Sequence, residues 1–80
     1  MTIQLIHGQF NALEAMEIIT QMIHVKIKYH ESKIAGNSNE EDIKNREAKI
    51  KHLQKELFET RKEMLLRKES LSIDSTINIA

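Results

Sequence analysis

The stretch Ile23–His30, IHVKIKYH, decides the fold. Read alone it is a strand: Ile23, Val25, Ile27 and Tyr29 alternate with His24, Lys26, Lys28 and His30, and β-branched residues suit a half-buried strand. Read with its flanks it is a helix. Glu14, Glu17, Gln21, His24, Lys28 and Glu31 recur at spacings of 3, 4, 3, 4 and 3. At about 100° per residue they form one narrow polar stripe that crosses the octet without a break. A strand at 23–30 would need the preceding helix to stop near Gln21, where there is neither Gly nor Pro to stop it.

The ends of this helix are marked. Asn11 followed by Glu14 has the spacing of a capping box, with Phe10 placed to staple the first turn. Gly36 is a good residue just past a helix end, and Lys28, His30 and Lys33 suit the negative pole of the dipole. We assign a first helix to 12–35. Its apolar residues Ala15, Ile18, Ile19, Met22, Ile23, Val25, Tyr29 and Ile34 spread over nearly twice the arc of about 100° that an ordinary surface helix buries. One neighbour cannot cover that arc.

The link GNS, residues 36–38, leads into SNEED, where Glu41 stands at the capping-box position from Ser38 and Glu40, Glu41 and Asp42 fill a first turn. A second helix is assigned to 39–70. Ile43, Ile50, Leu57, Met64 and Leu71 recur every seven residues, with Arg46, Leu53, Thr60 and Arg67 between them, which is a coiled-coil-like seam. Ala48, Phe58, Leu65 and Leu66 form a weaker second set, and Glu47–Lys51 and Glu63–Arg67 are favourable i, i+4 pairs. A short link makes the helices antiparallel, with Ile27 opposite Ile50 and Ile19 opposite Leu57. At the termini, TIQLIH (2–7) and the region 72–79, with Ile73, Ile77 and Ile79 on one parity, read as strands. TIQLIH should also cover Leu65, Leu66 and Leu71. A lone two-stranded ribbon is marginal in water, so a sheet or helix is expected beneath it.

The expected architecture is one mainly α domain over residues 1–80. It is an antiparallel two-helix hairpin with short β tails, dimerising into a four-helix bundle with the first helix at its centre. Ile18, Met22, Val25 and Tyr29 are the expected dimer interface. Size points the same way: the chain has 80 residues, no Cys and no metal motif, and lone chains of this length rarely gain more than about 3–5 kcal/mol from their core. Association through a two-fold axis is the common remedy.

The composition excludes several functions. Twelve basic and twelve acidic side chains cancel, which argues against a broad footprint for nucleic acid or an anionic membrane. The basic residues of the second helix, from Lys44 to Lys68, interleave with Glu47, Glu56, Glu59, Glu63 and Glu69, and almost no exposed aromatic is available to stack on bases. There is no secretion signal, no apolar run long enough to span a membrane, no Glu-x-x-His or HExxH, and no phosphate loop, since GNSNEED lacks the lysine. We expect a cytoplasmic, non-enzymatic protein without a cofactor, acting through homodimerisation and contacts with another protein. Lys26 and His30 lie within the apolar arc. They are the one candidate buried polar pair, and they centre one alternative, a small-ligand or enzymatic site in a cavity between subunits; the other alternative is weak nucleic-acid binding by the basic residues of the second helix.

Overall fold

The computed structural model describes residues 1–80. Four elements follow in order: β1 (Thr2–Phe10), α1 (Ala12–Ile34), α2 (Glu40–Leu65) and β2 (Leu71–Asn78). The octet 23–30 is helical throughout. At the start of α1 the Asn11 side chain accepts from the Glu14 N–H at 2.8 Å, and the Glu14 carboxylate accepts in return from the Asn11 N–H at 3.4 Å. The reciprocal pair satisfies two donors that a helix start leaves free. At the other end Gly36 takes φ +79°, a conformation other residues adopt only with strain.

The link to α2 is longer than expected, Ala35–Asn39, and Asn39 rather than Ser38 caps the helix: its Oδ1 accepts from the Asp42 N–H at 3.1 Å. Asn39 is itself held by the Asn37 side chain, which accepts from its N–H at 2.8 Å. The one direct side-chain bond between the helices, Arg46 to His30, keeps the expected register. Ile27 shares a groove with Leu57, and Ile19 shares one with Thr60 and Met64.

The expected seam forms the inner face of α2. Leu53, Leu57 and Met64 are buried, and Ile43, Arg46, Ile50 and Thr60 are half-buried. Across from it α1 contributes Ile27 and His30, buried, with Met16, Ile19, Ile23 and Ile34 half-buried. Burying one such aliphatic side chain is worth about 1.5–3 kcal/mol. The helix ends earlier than 70, because Leu66–Ser70 carry the chain round into β2. Leu71, the last residue of the heptad, therefore serves a strand instead.

An antiparallel hairpin brings the start of α1 and the end of α2 to one end, so the strands that flank them emerge together. They pair antiparallel, from Thr2↔Asn78 to Phe10↔Leu71. β1 is longer than 2–7 because it continues through Gly8, which faces Ile73, to Phe10. The ladder slips between Gln4 and Ile6, leaving Leu5 as an extra residue. That bulge has a consequence for the side chains. Ile3 and Ile6 are three apart and would face opposite ways in a regular strand. The bulge puts Ile3 opposite Ile77 and Ile6 opposite Ser75, on the same face.

The ribbon is therefore two-faced. Ile3, Ile6, Gly8, Phe10, Leu71, Ile73 and Ile77 share one side, interrupted by Ser75 opposite Ile6. Thr2, Gln4, His7, Gln9, Ser72, Asp74, Thr76 and Asn78 share the other. Thr2 donates to the Asn78 side chain at 3.1 Å, and His7 lies 3.7 Å from Asp74 on the polar side. The inner half of the apolar face lies toward Ala15 and Ile19 of α1 and Met64 of α2. It does not cover Leu65 and Leu66, which stay exposed.

The body measures 47 × 34 × 13 Å, with a radius of gyration of 15.3 Å against about 12 Å for a compact chain of this length. Six residues of 80 are buried, and no large side chain is wholly enclosed. Helix and ribbon thus make a thin slab with one shallow core. No helix is long and apolar enough to cross a membrane.

Candidate functional site

Two places carry the residues that the sequence singles out. The first is the junction where α1 ends and α2 begins. Asp42 Oδ2 accepts from the Asn37 side-chain amide and from Arg46 Nε, the latter at 3.3 Å. Arg46 Nη1 reaches on to His30 Nδ1 at 3.2 Å. A guanidinium only donates, so Nδ1 is the accepting nitrogen and the ring proton sits on Nε2. The chain Asn37–Asp42–Arg46–His30 thereby ties the two helix ends together through a neutral histidine. Tyr29 adds an edge-on contact to the His30 ring, with the Arg46 guanidinium 5.9 Å from the tyrosine ring centre.

His30 is 7% exposed, whereas Lys26 stands in solvent, so the two do not form a buried pair. They line a common open hollow of about 570 Å³ with Ala48, Lys49, His52, Leu53 and Glu56. The partner of His30 is Arg46, four positions after the acid that also holds it. The heptad reading gave Arg46 a seam position, and the structure supplies His30 as its partner there. Burial, then the positive charges of Arg46, Lys49 and Lys26, hold the His30 pKa below its ordinary value of 6.5. The hydrogen bonds from Arg46 and Asn37 hold Asp42 below its ordinary 3.8.

These two shifts act in different pH windows. For His30, the unfolded chain gains a proton near pH 6.5 while the folded chain resists it. Stability from this site is complete above pH 6.5 and declines as pH falls toward the lowered folded value. For Asp42 the contribution is present above about 3.8 and is lost as pH falls through the folded pKa. Urea midpoints should therefore begin to fall below pH 6.5. In His30→Asn, whose Oδ1 keeps an acceptor for Arg46 without titrating, that first decline should shrink and the acid one persist. An unchanged pH profile in the variant would remove His30 from the account.

As chemistry the junction is closed. His30 spends its lone pair on Arg46, His7 pairs with Asp74, and His52 with Glu56. No three His, Asp or Glu side chains converge.

The second place is the outer face of α1. Ile18, Met22, Val25 and Tyr29, at spacings of 4, 3 and 4, form one straight stripe, about 130° round the helix from the residues that meet α2. Ile18 is half-buried, Met22 is 36% exposed, Tyr29 53% and Val25 69%. Lys33 lies 5.7 Å from the Tyr29 ring at one end. A third feature, unmarked in the sequence, is a groove of about 680 Å³ on the polar side of α1, floored by Ile27, Leu57, Phe58 and Leu65. Compared with family models, with characterised proteins and with solved structures, the chain finds no match.

Proposed function

We propose that the chain is a non-enzymatic protein that works as a homodimer and through contacts with other proteins, its two copies joined along the Ile18–Met22–Val25–Tyr29 stripe. The observation that carries this reading is the position of the stripe. It is apolar, straight, turned away from the face of α1 that packs on α2, and largely exposed in a single chain at Met22, Val25 and Tyr29. Contiguous apolar surface of this kind marks interaction sites. Its heptad-like spacing matches a second helix lying alongside, and a two-fold axis lets one stripe meet itself.

The shape of the slab supports the same reading. Domains gain their stability from two or more packed layers around one core, and here one copy supplies a thin layer with six buried residues. Joining α1 to α1 of a second copy turns two hairpins into four helices with α1 at the centre. Light scattering on the purified chain across a dilution series tests it: the mass should be twice 9.3 kDa and fall toward 9.3 kDa only at high dilution. A mass of 9.3 kDa at every concentration would overturn the reading.

A further inference from the structure

The groove between the helices joins an apolar floor to a charged rim. Ile27 and Leu57 lie along it, and Phe58 and Leu65 stand 63% and 65% exposed on its α2 wall. Lys28 lines it from α1, and Arg61 and Lys62 from α2, so cations border the apolar strip on both sides. Glu31 is the only acid in the lining. That leaves three positive charges against one, in a chain whose formal charges cancel. The four ion pairs of the structure, His7–Asp74, Arg46–Asp42, His52–Glu56 and Arg67–Glu63, use no residue of the groove. The Lys62 ammonium instead lies 5.3 Å from the centre of the Phe58 ring, at the edge of the apolar wall. Exposed apolar surface rimmed by polar groups marks a contact site, and a rim of unneutralised cations selects the charge of what docks there.

The geometry points to an acidic amphipathic helix of another protein as the occupant. Its apolar stripe lies on Ile27, Leu57, Phe58 and Leu65, and its flanking carboxylates meet Lys28, Arg61 and Lys62. This rests on the reading that the chain works through contacts with other proteins, and it names the kind of partner; it does not depend on the homodimer. The length of the groove suits a helix. Its α2 wall runs from Gln54 to Leu65, a rise of about 16 Å or three turns, room for apolar side chains at i, i+4 and i+7. Its shape does too. Small-molecule sites enclose about 70–90% of their ligand, and a wall whose Phe58 and Leu65 are mostly exposed encloses none. A rod with an apolar stripe about 100° wide fits a trough that is open along one side. Charge excludes the nearest rival, the α1 stripe of a second copy. Lys26, Lys28 and Lys33 flank that stripe, so cations would face cations. Nucleic acid matches the rim but has nothing to lay on four apolar side chains. Stripe and groove share no side chain, so the dimer contact and this one do not compete.

The probe is a synthetic helical peptide of about 16 residues, with leucine at i, i+4, i+7 and i+11 and glutamate along both flanks. Its twin carries lysine in place of every glutamate. With the full chain, fluorescence anisotropy should give the acidic peptide a dissociation constant below about 100 μM and the lysine twin one at least about 10-fold weaker. Arg61→Glu with Lys62→Glu should reverse that order. Phe58→Ala should weaken the acidic peptide about 10-fold or more, with helix content unchanged. Val25→Glu, which alters the stripe alone, should bind as the parent does. Equal affinity for the two peptides, or no binding of the acidic one at about 1 mM, overturns the inference. Binding that Val25→Glu abolishes and Arg61→Glu/Lys62→Glu leaves intact also overturns it and puts the peptide on the stripe. A light-scattering mass above the dimer that Arg61→Glu/Lys62→Glu lowers overturns it in favour of further copies of this chain. A monomeric chain that still prefers the acidic peptide upholds this inference and ends the homodimer reading alone.

Discussion

Val25→Glu should run as a monomer at concentrations where the wild-type chain is a dimer, with its circular dichroism unchanged. The second half of that expectation separates an interface from a core. Val25 is 69% exposed in the single chain, so the substitution removes almost no packing within it. Glu is also the better helix former, by a few tenths of a kcal/mol. In the proposed dimer the same position would lie at the middle of the stripe, where a two-fold axis would bring the two carboxylates near each other in an apolar setting. An unpaired charge there costs several kcal/mol, so dissociation should strengthen by about 100-fold or more, roughly 2.7 kcal/mol. His24→Glu, one residue away but in the polar stripe, is the control and should leave the mass unchanged. If Val25→Glu dimerises as tightly as the parent, the copies meet elsewhere.

How much of this was legible beforehand differs from element to element, and the reason is range. The extent of α1 follows from signals a few residues apart: the Asn11–Glu14 box, an uninterrupted polar stripe and Gly36. The inner face of α2 follows from its heptads. The end of α2 does not, because Leu66, Arg67, Lys68 and Glu69 are all acceptable helix residues. The helix stops at Leu65 since the chain must turn to lay Leu71 beside Phe10, a demand set by a residue 61 positions away. The bulge is of the same kind. Ile3, Leu5 and Ile6 do not fit one strand parity, and only pairing with β2 shows how the conflict is resolved.

The junction was half legible. Position 30 fell within the apolar arc of α1, and position 46 within the seam of α2, so both were placed inward. Sequence spacing within one helix suggested Lys26 as the companion of His30. The pairing between helices supplies Arg46 instead. Exposure of the α1 stripe was legible as surplus: the arc was too wide for one partner, and Met22, Val25 and Tyr29 stand largely exposed.

Leu57→Ala tests the core itself. Leu57 sits on the inner face of α2 beside Ile27, among only five buried apolar residues. Truncating a buried leucine costs about 2–5 kcal/mol. A chain of this size holds about 3–5 kcal/mol alone, so the variant should be largely unfolded when dilute and regain helix as concentration rises, because association favours the folded copies. The neighbouring Phe58→Ala removes a larger side chain, yet Phe58 is 63% exposed and held mainly by the Lys62 ammonium 5.3 Å from its ring. Its loss should cost under about 1 kcal/mol. The two substitutions are one residue and about 100° apart on the same helix, so their ratio reads the rotation of α2 directly. Equal losses would mean that Phe58 is covered as well, by a partner in the groove it floors. A reversed order would mean that α2 presents the wrong face to α1, and with it the placement of Ile27, His30 and the free stripe would fall.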